Sequence, residues 1–527
     1  MKYTLSLALS LFLLQQVAAQ QTVNIYNRDS TVMGSGVMIN NKMDGLWKFL
    51  NPKNNELIQQ GYFDDGVKEG SWIFYHPNNR IKVETEYRND ELNGSFREYD
   101  TEGALILENI YQDSVLVGPH RQYYGRAGRP GYINPKQLLL EGQYSDGERD
   151  GEWLSYYENG QLAVKQTFNK GILEGAYLEY SPYGQLVVET TYENNKPHGL
   201  FKRYSTGNSL QEQGEYDNGK KVDKWVTYFP DTRILESETN YDSNGNRTGT
   251  WTYYYENRRV ARIEKYNNGI AVGTWEEFFP NKSLSKRKNY ELGVPVGAYV
   301  EYHNNGQLSV EGQYENGGKT GIWRSYYPEG QLYSIGEYKL DQKTGNWKYF
   351  NKIGVLVAEG EYRLGAENGQ WFYYYDGGQL KSVGSYIYGL ENGTWGLFYD
   401  NTQLTQEEFW DNGRLMNVSE YYSYDGSDTL DRGTLSAGNG SRITYYVNGE
   451  KETEGWYKFG KPDGEWKYYH DNGRVASEGA MIDGKREGTW RYYGRNGSLS
   501  DLLEFKDDEV VQEEEQPSDL MFQNFNF

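Results

Sequence analysis

Histidine titrates near neutral pH and is the commonest metal ligand, so the five histidines are the first residues to test for chemistry. Three of them, His76, His303 and His470, occupy equivalent places in a repeating pattern whose other copies carry Tyr or Phe. They read as aromatic replacements in a packed column, and neither a His-Glu-x-x-His zinc motif nor a nucleophile-elbow serine occurs. Gly318-Lys319-Thr320 matches the end of a phosphate loop, but the glycine needed five residues earlier is Gln313 and no helix pattern follows. Asp425, Asp428 and Asp431 offer carboxylates of the type that hold calcium, without EF-hand spacing, and read as a solvated loop. Glu84, Glu108, Glu189, Glu311, Glu359 and Glu407 recur in one column and read as a solvated sheet face. No catalytic residue, cofactor site or metal site is nominated, and the chain is expected not to be an enzyme.

The element that positions all of these residues is a repeat. Gly297 to Thr320, GAYVEYHNNGQLSVEGQYENGGKT, starts a pattern that recurs every 24 residues at Gly321, Gly345, Gly369 and Gly393 and, upstream, at Gly273 and Gly249. With the first glycine as column 0, twelve of the fourteen tryptophans fall in column 2, column 5 is aromatic, and column 17 usually is. A fixed period of this size marks a repeat architecture. Columns 8 and 9 often read Asn-Gly, as at Asn305-Gly306 and Asn472-Gly473. Between aromatic-rich runs this predicts a hairpin with a two-residue type I′ turn.

With the turn there, columns summing to 17 oppose one another across the hairpin and share a face. Trp323, Trp347, Trp371 and Trp466 then face Gly336, Gly360, Gly384 and Gly479. A ring over a strand glycine is an aromatic-rescue arrangement. On the other face Arg97, Lys348 and Lys467 oppose Glu108, Glu359 and Glu478, beside column 5. The column 5 tyrosines Tyr156, Tyr254, Tyr302, Tyr326 and Tyr374 are the candidate partner-binding residues, because rows of aromatic side chains grip proteins or stack on sugar rings. The expected fold is all-β: an elongated, twisted single antiparallel sheet of about nineteen 24-residue β-hairpin repeats.

Met1 to Ala19 has a basic start, an apolar run and small residues at its end, and reads as a secretory signal peptide. Residues 20–40 are a lead-in supplying an edge strand, 41–416 the repeats, 417–439 a degenerate copy, 440–505 further repeats, and 506–527 an acidic tail expected to be disordered. The expected location follows: exported, in a periplasm, on a cell surface or outside the cell. A formal charge of -21 argues against nucleic acid as a partner, and beyond residue 19 no stretch is long and apolar enough to span a bilayer as a helix. With no cysteine, the sequence has neither a disulfide nor a lipoprotein anchor.

The pattern Gly-x-Trp-x-x-Tyr-Tyr-x-x-Gly-x-Leu-x-x-Glu, as in Gly151 to Gly171 and Gly464 to Gly484, resembles the MORN-like repeats of the YwqK-type antitoxin family across most of residues 41–505. Choline-binding repeats and the YD repeats of large secreted shells share parts of the pattern at other spacings. The resemblance implies a scaffold or partner-binding role. Three readings follow: an exported scaffold that binds protein along its sheet, a cell-surface carbohydrate binder using the aromatic rows, and an immunity protein that neutralises a toxin.

Overall fold

The computed structural model describes residues 22–126 and 136–511, so the signal segment and residues 512–527 of the acidic tail lie outside the described residues. Among the described residues there is no helix; 44 strands pair antiparallel. Thirty-five of these strands share one sheet that does not close, two form a small ladder, and seven form a further sheet. The chain divides into two compact units, Met1–Arg258 and Arg259–Phe527. Within each, strands pack chiefly on their neighbours in chain order.

The predicted hairpin register is observed. In the strands Gly318–Tyr326 and Leu332–Lys339, Gly321 pairs with Tyr338, Trp323 with Gly336 and Arg324 with Ile335. Arg97 opposes Glu108, Lys348 opposes Glu359 and Lys467 opposes Glu478.

The turn type differs. At Asn305-Gly306, His303 N donates to Gln307 O (2.8 Å) and Gly306 N to His303 O (2.9 Å), and only Gly306 is left-handed, with φ of 86°. This is a three-residue loop with a glycine bulge, which moves Tyr302 to a pairing with Leu308. Two-residue turns of the predicted kind lie between the repeats instead: Asn316 and Gly317 have φ of 50° and 90° between the paired Glu315 and Gly318. Asparagine serves column 8 through its side chain rather than its backbone. Asn305 Oδ1 accepts from Gln307 N (3.0 Å), and its Nδ2 donates to Pro328 O (2.7 Å) in the next repeat.

The glycine opposite each tryptophan also has a different occupant. A Cβ added to Gly336 would lie 2.1 Å from Cδ2 of Trp347, the tryptophan of the following repeat. The same eleven-residue offset recurs from Gly36 and Trp47 to Gly479 and Trp490. Its cause is a bulge between repeats. Ile335 pairs with Lys348, but Glu337 pairs with Thr344, leaving Gly345 and Asn346 as extra residues, with Gly345 at φ of 62°. The indole lies back over the preceding strand, and Trp347 Nε1 donates to Glu337 O (3.2 Å) where the ladder is interrupted. Tyr338 and Tyr362 meet that ring edge-on at centroid distances of 5.3 and 5.9 Å.

The lead-in supplies two strands, Thr22–Tyr26 and Val32–Ile39, rather than one, and its Gly36 lies beneath Trp47. At the other end, Glu509–Val510 pairs with Phe505 and Lys506, so the first residues assigned to the acidic tail close a hairpin. The degenerate copy breaks the sheet. After Arg414–Val418 the chain forms the short pair Tyr421–Tyr422 and Thr429–Leu430 and an isolated bridge between Ser436 and Asn439, and Leu415, Val418 and Leu435 cluster beneath Trp410 and Tyr457. Arg442 occupies the following tryptophan column. Its guanidinium pairs with Glu408 and reaches Gln406 (3.3 Å), with the ion-paired side chains 12% and 9% exposed.

Two outcomes follow. Gly336→Ala should lower stability by about 1–3 kcal/mol through forced displacement of Trp347, measured by urea unfolding with tryptophan fluorescence; an unchanged midpoint would show that the ring steps aside freely. Arg442→Ala should cost about 3–5 kcal/mol because Glu408 is left buried and unpaired, and adding Glu408→Leu should recover much of that loss in the same assay.

Candidate functional site

The five nominated tyrosines are half-buried, and the structure ties most of them down. The Tyr156, Tyr254, Tyr326 and Tyr374 hydroxyls donate to carboxylates of the preceding repeat: Glu141 (2.7 Å), Glu238 (2.8 Å), Glu311 (2.9 Å) and Glu359 (3.0 Å). Those carboxylates also meet cations: the predicted Lys348 lies 3.1 Å from Glu359, and Arg324, from the following repeat, lies 3.4 Å from Glu311. Each group is therefore a cation, a carboxylate and a tyrosine drawn from two repeats. Tyr302 stands apart, because Arg287 holds the carboxylate position and turns to Glu276 (2.8 Å). Burial, reinforced by the hydrogen bond to Glu238, pushes Tyr254 up to about 12. Tyr99, Tyr123 and Tyr469 are likewise pushed up to about 12 by burial and a glutamate partner.

The other sequence candidates have local partners. Nε2 of His76, His303 and His470 lies 2.9 Å from the carbonyl oxygens of Tyr99, Tyr326 and Tyr493, where Tyr327 in another copy donates its hydroxyl to Phe350 O (3.0 Å). Lys319 of the Gly-Lys-Thr triplet lies in a strand with Nζ 4.4 Å from the Trp323 centroid. Main-chain and hydroxyl donors, led by Ser427 N, lower Asp425 to about 2. Asp431 accepts from Gly433 N (2.9 Å). Among the described residues no three His, Cys, Asp or Glu side chains are grouped to hold a metal.

Two features of the second unit escaped sequence reasoning. The first is a row at the turns between repeats. Leu292, Leu340, Leu364 and Tyr388 take the first turn position that Asn316 and Asn412 take elsewhere, at φ of 47° to 53° and exposures of 78, 75, 70 and 58%. A bulky side chain at positive φ is strained, and an exposed apolar one gains no burial in return. The signal was there in apolar residues at 24-residue spacing where Asn is standard.

The second feature is a cleft of about 220 Å³ lined by Arg262, Trp275, Glu277, Lys286, Lys288, Tyr290, Tyr299 and Tyr314. Lys288 opposes Trp275 across the hairpin and stands where ten repeats have the glycine under the next indole; Tyr299 replaces that indole. Arg262 meets Glu264 at 2.9 Å and Lys286 meets Glu277 at 3.6 Å. Among the described residues Lys288 makes no ion pair, Asp341 acting on it only from beyond ion-pair distance; its Nζ lies 4.6 Å from the Tyr314 centroid and 5.4 Å from that of Tyr290, and burial lowers its pKa. In the sequence, a lysine in a glycine column beside a missing tryptophan was the available signal.

Seven segments, 68–89, 149–170, 173–194, 295–316, 319–340, 367–388 and 462–481, match the MORN repeat variant. These segments carry MORN-type repeats. No curated protein matches it. Among solved structures, the crystal structure of TcdB2-TccC3-TEV is similar at 13% identity and a TM-score of 0.13, over 93% of this chain and 28% of that one. The Photorhabdus luminescens Tc holotoxin pore is similar at 12% identity and a TM-score of 0.15, over 92% of this chain and 28% of that one. The chain thus spans less than a third of the length of either.

The tyrosine–glutamate rows predict a pH response of known sign. Tyr254 ionises near 10 when unfolded and at about 12 when folded, so its stabilisation is complete below pH 10 and is lost as pH rises through about 12. The urea midpoint should fall across that window. In the wild-type minus Tyr254→Phe ultraviolet difference titration, Glu238→Gln should lower the Tyr254 midpoint without restoring the ordinary value, because burial remains.

Proposed function

We propose that this protein is a non-enzymatic, exported repeat scaffold that holds a partner protein along its sheet. The observation that carries the reading is the row Leu292, Leu340, Leu364 and Tyr388: four apolar side chains kept exposed and in left-handed backbone at a fixed repeat spacing. Folding alone favours Asn there, as at Asn316, so the row is explained by contact with something outside the chain. The MORN-type repeats support a scaffold. Export rests on the character of Met1 to Ala19. The half-buried rings of Tyr302, Tyr326 and Tyr374 supply lateral contacts. An antitoxin of the YwqK type is this same scaffold with a toxin as its partner. Carbohydrate binding is the second reading, favoured by the cleft at Lys288.

The test is crosslinking and pull-down from the native envelope with the mature chain as bait. Leu340→Asn, Leu364→Asn and Tyr388→Asn together relieve backbone strain, so lost capture will not reflect misfolding. Capture by the wild type, its loss in this variant and its weakening when Tyr302, Tyr326 and Tyr374 become Ser is the expected result. Equal capture by all three chains, or by none, sinks the reading.

A further inference from the structure

We propose that the Lys288 cleft is a binding site for a small organic carboxylate of single-ring size, of the uronic-acid class. The inference does not rest on the protein-partner reading, because the cleft lies on strands rather than at the turn row.

The fold sets a plain requirement at this place. In ten repeats a tryptophan in column 2 is matched by a glycine eleven residues earlier, and an added Cβ there would lie 2.0–2.5 Å from the ring. At Phe96, His120, Tyr177 and Phe201 the tryptophan is absent and the earlier residue is Thr85, Asn109, Gln166 and Thr190, small or neutral in each case. Only at Tyr299 is it a lysine. Removing the indole opens the space, and the neutral copies show that packing does not call for a charge to fill it.

Lys288 is also placed against its own stability. It is half-buried and without an ion pair among the described residues, in a chain of net charge -21 where carboxylates outnumber cations. Its contacts are the rings of Tyr290 and Tyr314, which hold a cation weakly compared with a carboxylate. Lys286 and Arg262 flank the cleft, each already matched by one carboxylate. One positive charge is therefore left over inside a concave, aromatic-walled space, and an incoming carboxylate would complete it. The volume of about 220 Å³ is below that of sites for drug-sized ligands, which sets the size at one ring. Trp275 and Tyr290 provide apolar walls for its carbon face.

The experiment is isothermal titration of the full chain with sodium glucuronate, with glucose and with sodium sulfate. Glucuronate should bind, while glucose and sulfate should bind at least tenfold more weakly. Lys288→Met should weaken glucuronate at least tenfold with an unchanged thermal melt. The double variant Lys288→Gly, Tyr299→Trp restores the pairing used elsewhere and fills the cleft; it should melt at or above the wild-type temperature and bind no glucuronate. Absence of glucuronate binding to the wild type, or undiminished binding by the double variant, overturns the proposal. Glucose binding as tightly as glucuronate removes the charge as selector, and sulfate doing so leaves an adventitious ion only; either result also overturns it. Protein capture by the Lys288→Met chain in the pull-down keeps this outcome separate from the scaffold reading.

Discussion

The constraint on which the rest depends is the clasp between ten of the tryptophans and the bare backbone of the preceding strand. Strands here pack chiefly on their neighbours in the sheet, so apolar surface has to be covered by side chains lying flat across adjacent strands. In ten repeats the indole does this over a strand residue with no Cβ. The inter-repeat bulge supplies the angle, the glycine supplies the room, and the indole N–H takes up a carbonyl where the ladder is interrupted. Trp47, Trp72 and Trp153 are fully buried as a result. One device thus meets both requirements of an interior, removal of apolar area from water and satisfaction of the polar groups displaced.

The turns do for the edges what the clasp does for the face. An unpaired edge invites association, and here successive turns are bonded to one another. At the loop within each hairpin, Asn159, Asn305 and Asn448 donate to carbonyls 23 residues on, and so do the column 6 rings. Between hairpins, main-chain bonds such as Gly317 N to Pro295 O (3.0 Å) and Gly389 N to Glu367 O (2.8 Å) join each turn to the one before. Stability is then close to a sum of repeat and neighbour terms, so a single poor copy is tolerated if its neighbours hold.

That additivity decides what could be read without coordinates. The period, the strands and the register within a hairpin were legible, because opposite columns carried complementary residues such as Lys348 and Glu359. The turn type at columns 8 and 9 was misassigned, since Asn-Gly suits both loops and the side-chain bonds of Asn305 have no signature in a single repeat. The partner of Gly336 was assigned to Trp323 rather than Trp347 for a related reason: the pairing Trp323 to Gly336 is real, but the ring that covers the glycine comes across the bulge. A bulge is a property of the junction between copies, and reasoning confined to one hairpin does not contain it. The same limit hid the bond from Tyr374 to Glu359, which spans two repeats, and so gave the tyrosine row a freer surface than it has.

Departures from the repeat are where the chain says something beyond folding, and the two largest are resolved in opposite ways. At Arg442 the tryptophan is gone and a cation has taken its column, but Glu408, standing in the glycine column of the last regular copy, receives it. The exchange of a ring and a glycine for an ion pair is buried and matched in charge by the chain itself, and it carries the chain past the degenerate segment. At Tyr299 the tryptophan is also gone, and the cation is in the glycine column instead. Among the described residues no carboxylate comes within ion-pair distance of Lys288, Asp341 acting only from further off, and space remains around it. The same broken clasp is structural where the chain supplies both charges and open where it supplies one. What distinguishes a joint from a site in this architecture is therefore whether the local charge balance closes without a ligand.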